Sequence, residues 1–178
     1  CESVSAYKTA WSAYASRIQE CVKWKATYTG GSVSSASCDS STTISENDID
    51  VTNLASVEIG DCVTELGTRA LRNSASLTSC TFGNSVEVLG NYSLANCSGL
   101  TSITLPQSLT TLNGNVFSNC SGLTSITVER ATPPTLGSNA FKNTNDCPIY
   151  VPSGSVNAYK AATNWSTYAT RIQAIPSS

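Results

Sequence analysis

The side chains that could do catalytic chemistry in this chain are carboxylates and cysteines, and there is no histidine. A Ser-His-Asp triad or a Cys-His pair is excluded, because both need an imidazole as general base. The carboxylates whose spacing we considered for a glycosidase pair are Glu58, Asp61, Glu65, Glu87 and Glu129. They are scattered over turns and strand surfaces and do not support such a pair. We expect no enzyme and no cofactor.

Metal chemistry also lacks a suitable set of ligands. None of the 8 cysteines forms a Cys-x-x-Cys pair, which argues against zinc. An acidic run of Glu46, Asp48 and Asp50 could ligate calcium as an alternative, but its oxygen spacing matches no known calcium loop. The sequence therefore predicts no metal site.

Hydroxyl side chains form a more regular pattern. The segments Leu77–Phe82, Leu100–Leu105 and Leu123–Val128 repeat every 23 residues, and a strand with its aliphatic residues inward turns the hydroxyls outward. The outward residues form three columns: Thr78, Thr101 and Thr124; Ser79, Ser102 and Ser125; Thr81, Thr104 and Thr127. These columns are either a solvated strand surface, where Thr is favoured by β propensity, or a binding face for an extracellular protein or glycan. An ice-binding array is a third interpretation, weakened because only three ranks match.

The elements that position these hydroxyls are the coils of a solenoid. Each coil is expected to hold a strand such as 100–105, a second strand such as 109–112, a helical turn around Val116–Phe117 and an Asn-Cys-Ser loop. One coil cannot bury its apolar side alone, so stacked coils share a core. The last coil has 24 residues, with a bend at Thr132–Thr135, and 149–151 is expected to be the final strand.

The flanking segments predict caps. Residues 3–19 carry aromatic residues at helical spacing, and the pattern recurs at 155–173. The C-terminal copy is expected to cap the array, and the N-terminal copy resembles the cap of a preceding module. Between them, 22–29 and 32–38 predict a hairpin around Gly30 and Gly31, and Ser45–Asp48 predicts a short helical turn. The expected divisions are 1–20 (cap-like helix), 21–53 (hairpin and linker), 54–152 (solenoid) and 153–178 (helical cap).

Cysteines and sequons suggest further sites. Cys80, Cys97 and Cys120 fall in repeat columns and are expected to be small buried residues. Among the other cysteines, Cys38 and Cys62 are the favoured disulfide pair. The Ser/Thr-rich, charge-poor composition favours an extracellular setting, where a disulfide would persist. Four asparagines open Asn-x-Ser sequons and are candidates for glycosylation: Asn91, Asn96, Asn119 and Asn164.

Charge and hydropathy exclude two classes of partner. Charged residues are 12 % of the chain and the net charge is −2, which argues against nucleic acid and anionic membrane surfaces. No apolar run approaches the ~18 residues of a membrane span. We expect no membrane insertion.

The repeats resemble the BspA-like leucine-rich repeat family of bacterial surface proteins. The resemblance covers roughly 54–175 and rests on Ile59–Gly67, the Asn-Cys-Ser-Gly-Leu-Thr-Ser-Ile-Thr cores, the bend up to Gly137, and Cys147–Pro152 with the Tyr-Lys…Trp cap. It implies an α+β repeat protein: a right-handed solenoid of about 23-residue coils with a helical C-terminal cap, preceded here by an N-terminal helix and β-hairpin. It further implies an extracellular or cell-surface adhesion module without catalytic residues. The alternative is a structural subunit of an extracellular fibre or phage appendage, in which copies of the chain assemble head to tail.

Overall fold

A computed structural model describes residues 22–177, and the helix predicted for residues 3–19 lies outside this range. The described chain is a stack of coils closed by a short helical segment at its C-terminal end. Within residues 22–177, no helix has the length and hydropathy that a membrane span requires.

The N-terminal end of the stack is the predicted hairpin. Strands β1 (Val22–Tyr28) and β2 (Val33–Ser37) pair antiparallel. Gly30 and Gly31 form the turn with φ values of 118° and 85°, a region that glycine enters without a Cβ clash. On its other edge β1 pairs antiparallel with β4 (Leu54–Ile59). The hairpin thus covers the first parallel strand of the solenoid.

Residues Ser45–Asp48 form a turn, so the predicted helical turn is wrong. The Asp48 carboxylate accepts a hydrogen bond from the Ser45 N–H at 2.6 Å, as a capping box would require. Asn47 has a φ of 74°, however, which is outside the helical region. The local hydrogen bond therefore stabilises a turn and does not start a helix.

The first face of the solenoid contains the longer strands of the coils. They are β4, β6 (Ser79–Thr81), β8 (Ser102–Leu105), β10 (Ser125–Val128) and β12 (Ile149–Val151). Together with β1, β2 and β13 (Ile172–Ala174), they form two four-stranded sheets, β2-β1-β4-β6 and β8-β10-β12-β13. The predicted register holds within each sheet: Ser102 lies beside Ser125 and Thr104 beside Thr127.

The second face is one continuous five-stranded parallel sheet. Its strands are β3 (Thr43–Ile44), β5 (Glu65–Leu66), β7 (Val88–Leu89), β9 (Thr111–Leu112) and β11 (Thr135–Leu136). Leu112 pairs with Leu136, so the extra residue of the 24-residue coil is accommodated before β11, as predicted. Because β3 belongs to this sheet, the segment before residue 54 packs as part of the same stack.

The third side of each coil is a run of turns, where a helical turn was predicted. The N–H groups of Asn115 and Phe117 donate to the carbonyls of Ser138 and Ala140 in the next coil, at 3.0 and 2.9 Å. Asn115 and Asn119 have φ values of 58° and 62°, which no α-helix contains. The helical prediction is wrong because alternate backbone donors, those of Asn115, Phe117 and Asn119, bond to the next coil and not along their own coil.

The core runs through the middle of the stack. Leu100, Ile103 and Leu105 are 0, 3 and 0 % exposed, as the repeat pattern predicts. Burying each such side chain contributes about 1.5–3 kcal/mol. Cys97 and Cys120 are also buried, and their thiols donate to the Leu71 and Leu94 carbonyls at 3.3 and 3.1 Å. These cysteines therefore join coils as well as fill space.

The C-terminal cap differs from the predicted helical cap. It contains helix α1 (Val156–Ala161), the 3-10 helices Ser153–Ser155 and Trp165–Tyr168, and then strand β13, which pairs parallel with β12. The prediction that 149–151 is the final strand is therefore wrong. The chain turns back after the helices and extends the first face by one more strand.

Cap side chains satisfy carbonyls that the last coil would otherwise leave unpaired. The Trp165 indole N–H donates to the Pro134 carbonyl at 2.8 Å, and the Asn164 amide donates to Leu136 at 2.6 Å. Arg171 donates through Nε to the Cys147 carbonyl at 2.8 Å. Buried backbone groups without partners are costly, so these bonds explain how the stack can end here.

Candidate functional site

The nine predicted serines and threonines lie at the surface of the first face, and we call them the hydroxyl face. Seven are exposed, and Ser125 and Thr127 are half-buried. The same surface continues at one end with Glu58, which lies beside Thr81, and at the other with Tyr150, which lies beside Thr127. The structure therefore brings the predicted residues to one surface, while their role in binding stays a prediction.

The three columns of the hydroxyl face differ in what their hydroxyls do. Thr78 and Thr124 donate through Oγ1 to the carbonyls of Ala55 and Thr101 in the preceding coils, at 3.0 and 2.9 Å. These two hydroxyls join coils. The hydroxyls of the other two columns make no hydrogen bond within residues 22–177, so they are available to a partner.

The hydroxyl face is interrupted between its first and second ranks, at a gap between β6 and β8 that we call the seam. One sheet ends at β6 and the next begins at β8. Thr78 N–H donates to Ala55 at 2.9 Å and Thr124 N–H to Thr101 at 2.8 Å, but the described chain has no corresponding bond from Thr101 to Thr78. The second face shows no such gap, because β7 pairs with β9. The coils are therefore splayed on the first face alone.

Two side chains account for the seam. Gly83 packs so closely on Gly60 that a Cβ there would lie 2.7 Å from backbone atoms, and the equivalent residue in the next coil is Pro106. A proline adds a ring at this tight position and has no N–H to donate across the gap. Phe82 is the second departure from the repeat at this place: it is only partly buried, whereas Leu105 and Val128 at the equivalent positions are 0 % exposed.

The seam opens into a pocket of about 330 Å³. Its walls come from both sides of the gap, and the lining residues are Ser79, Cys80, Thr81, Phe82, Asn84, Ser102, Thr104, Pro106 and Glu129. Four of them belong to the hydroxyl face. The Asn84 backbone N–H donates to the Asp61 carboxylate at 2.7 Å, which holds the loop at one end of the pocket.

The pocket offers polar contacts and no nucleophile. Burial raises the pKa of the Cys80 thiol to about 12, so the thiol stays protonated at neutral pH and is a poor nucleophile. Glu129 is the one charged residue of the lining, and it is exposed. A single solvated carboxylate can accept hydrogen bonds. A retaining or inverting glycosidase needs a pair of carboxyl groups at one site.

The sequon asparagines are engaged elsewhere in the fold. On the third side, Asn73, Asn96, Asn119 and Asn143 form an asparagine ladder. In this ladder each side-chain Nδ2 donates to the Oδ1 of the preceding coil, at 2.7, 2.9 and 2.8 Å. In the folded chain, Asn96 and Asn119 therefore use the nitrogen to which a glycan would be attached. Glycosylation at these sites stays a prediction.

Two other sequon asparagines also make intramolecular bonds. Asn91 accepts through Oδ1 from the Gly114 N–H at 3.0 Å. Asn164 bonds to the last coil through its side-chain nitrogen, as described for the cap. These side chains hold coils and cap together.

The predicted disulfide and the acidic run lie at the N-terminal end of the stack and stabilise it. Cys38 and Cys62 form a disulfide, the pair that the sequence favours, and it joins the segment after the hairpin to the loop after β4. In the acidic run, the Asp50 carboxylate accepts a hydrogen bond from the Thr52 N–H at 2.8 Å. The Glu46 Oε2 atom lies 4.0 Å from Nη1 of Arg69. These carboxylates support turns and an ion pair.

Sequence reasoning missed the seam and its pocket. The signals were present as exceptions within repeat columns: Phe82 among aliphatic residues, and Pro106 in a column with Gly60 and Gly83. A proline at a position that must donate a ladder hydrogen bond indicates a break. The predicted hydroxyl columns are therefore interrupted between their first and second ranks.

Comparisons with known proteins agree with this architecture. The family model described as "BspA type Leucine rich repeat region (6 copies)" matches residues 27–160. A leucine-rich repeat protein from Bacteroides ovatus has a similar crystal structure, with a TM-score of 0.53 and 21 % sequence identity over 70 % of this chain and 31 % of that one. A search of curated proteins found no significant match.

The crystal structure supports the fold alone at this identity, and the chain spans about a third of its length. Repeats of this type are typically found in surface-associated bacterial proteins and are typically non-enzymatic scaffolds. The family match extends over most of the chain, from the hairpin to the cap helix. The chain therefore belongs to the BspA-type leucine-rich repeat family.

Proposed function

We propose that the chain is a non-enzymatic recognition or adhesion module that acts outside the cell or on its surface. It binds a protein or glycan through the hydroxyl face and the loops at the coil edges. The observation that carries this proposal is the set of unbonded hydroxyls on the second and third columns, which parallel strands hold in register in the second and third ranks. Such an array offers many donors and acceptors on a rigid support, at little conformational cost on binding.

Electrostatics and composition support the same class of partner. The hydroxyl face itself carries no charge, and the whole chain has a net charge of −2. A neutral, polar surface favours recognition by hydrogen bonding over long-range attraction. The disulfide is consistent with an oxidising compartment, where such bonds persist.

The test is a binding screen with a variant that changes the face but not the core. Immobilised matrix proteins and glycans are probed with the wild type and with the triple variant Thr81→Lys, Thr104→Lys and Thr127→Lys. A matched control places lysine at three exposed positions of the second face, Glu87, Thr110 and Thr135. Loss of binding in the first variant alone is the expected result. Binding that survives the first variant would exclude the hydroxyl face as the site.

A second candidate function is a structural subunit of an extracellular fibre. The observation in its favour is that, among residues 22–177, β13 is an edge strand, paired with β12 on one side only. An exposed edge can add a strand from another copy, and such a heterologous contact propagates. Light scattering and negative-stain imaging test this candidate. A monodisperse monomer at high concentration excludes it, and filaments that disappear on Ala174→Pro support it, because the Ala174 N–H faces away from β12 and a proline there cannot donate to an added strand.

A further inference from the structure

The seam has the features of a small-ligand site and not only of a packing fault. Its lining includes Phe82, which is partly buried, together with hydroxyls from two coils. A gap between strands that only water filled would not need an aromatic side chain in its lining. Concave sites for small molecules combine an apolar surface with a few polar groups that fix orientation, and the seam has both.

The chemistry of the lining selects among ligands. Ser79, Thr81, Ser102 and Thr104 can each donate and accept a hydrogen bond. Glu129 can only accept, and as a carboxylate it can accept from two neighbouring hydroxyl groups at once. A pyranose ring matches this set, because its C–H face is apolar and its edge carries adjacent hydroxyls. The pocket volume of about 330 Å³ can hold a sugar ring together with bridging waters.

Charge narrows the class of sugar further. The lining contains no lysine or arginine, and its one charged residue is the acidic Glu129. Anions such as sialylated or sulfated sugars would be repelled there and would find no cation to pair with. A neutral glycan avoids this cost.

We propose that the seam binds a neutral hexose or N-acetylhexosamine unit of a glycan, with the ring against Phe82 and its hydroxyls on Glu129 and the rim hydroxyls. This proposal rests on the proposed recognition function and specifies its ligand and its location. The hydroxyl face beyond the seam then contacts the neighbouring residues of the same glycan.

The test uses an array of neutral oligosaccharides together with their sialylated and sulfated counterparts, followed by titration calorimetry with the tightest neutral glycan. Glu129→Gln is expected to raise the Kd about tenfold or more, because it removes a charge-assisted acceptor. Phe82→Leu, which gives the column an aliphatic residue as at Leu105, is expected to weaken binding about tenfold (about 1.4 kcal/mol). The matched control is Glu87→Gln, an exposed carboxylate on the second face and outside the pocket.

Each result decides between the two proposals. Neutral-glycan binding that falls with Glu129→Gln and Phe82→Leu but not with Glu87→Gln supports the seam. Preference for sialylated or sulfated sugars, or a Kd unchanged in Glu129→Gln, overturns it. If no glycan binds but a matrix protein does, and the triple lysine variant abolishes that binding, the recognition function stands and the glycan site falls. Far-UV circular dichroism of Phe82→Leu separates lost binding from lost folding.

Discussion

Trp165 is the residue through which the cap stabilises the last coil. Its side chain is 0 % exposed, and its ring centroid lies 4.9 Å from that of Tyr159 and 5.7 Å from that of Phe141. Its indole N–H donates to the Pro134 carbonyl at 2.8 Å. Removal of Trp165 therefore tests packing and hydrogen bonding at the end of the stack together.

Three variants separate these contributions. Trp165→Ala is expected to lower the free energy of unfolding by about 3–5 kcal/mol, the usual cost of a large aromatic residue lost from a core. Trp165→Phe keeps an aromatic ring but leaves the Pro134 carbonyl without its donor, which costs about 1–3 kcal/mol. Tyr159→Phe removes the hydroxyl that donates to the Arg130 carbonyl at 2.7 Å and is expected to cost about 1 kcal/mol. Burial raises the pKa of that hydroxyl, so it remains a donor up to alkaline pH.

The assay is urea unfolding followed by far-UV circular dichroism, with hydrogen exchange to locate the loss. Because each coil contacts its neighbours alone, Trp165→Ala should lower protection first in β11, β12 and β13 and least in β1 and β2. Equal loss of protection in all coils would refute the reasoning on local coupling. A free energy of unfolding unchanged within about 0.5 kcal/mol would refute the role of the cap.

Three further predictions concern the stack. Asn119→Gly, which removes two bonds of the asparagine ladder but tolerates the φ of 62°, is expected to cost about 1 kcal/mol in urea unfolding. Asn119→Ala should cost about 1 kcal/mol more because its Cβ strains the left-handed backbone, and equal costs would contradict this account. Cys80 has its pKa raised from 9.0 unfolded to about 12 folded, so its contribution to stability is complete below pH 9.0 and is lost as the pH rises towards 12. Between these two pKa values the wild type should lose about 1.4 kcal/mol of unfolding free energy per pH unit, and Cys80→Val should abolish this loss. The measurement is the unfolding free energy of both proteins at about pH 8 and pH 10.5. The Cys38–Cys62 disulfide closes a loop with a sequence separation of 24, so the double serine variant should lose about 3 kcal/mol of unfolding free energy, measured in urea.

The repeat, the inward residues and the hairpin could be predicted from sequence because each depends on periodicity. Leu100, Ile103 and Leu105 recur with their neighbours every 23 residues, and a stack has one way to bury all of them. The hairpin follows from alternation around two glycines, which fixes both strands and the turn. The helical turn at Val116–Phe117 was predicted wrongly for a related reason. Local spacing cannot show that backbone donors bond to the next coil.

The cap shows the same limit. Its aromatic residues were visible as a helical pattern, but β13 was not, since the segment Ile172–Ala174 becomes a strand only when β12 offers it an edge. A three-residue strand has too weak an intrinsic preference to be recognised alone. Contacts supplied by the preceding coil decide its conformation.

The sequence by itself determined the coil length, the buried residues and the nine hydroxyls of one face, because these are properties of each repeat. The tertiary structure alone decided that the face is split at the seam, that the asparagines form a ladder, and which carbonyls the cap satisfies. These features depend on how one coil meets the next: Pro106 beside Gly83, and Phe82 at a position where its neighbours are aliphatic. The structural effect of a departure from the repeat becomes visible only when the coils are stacked. In this protein the departures line the candidate site.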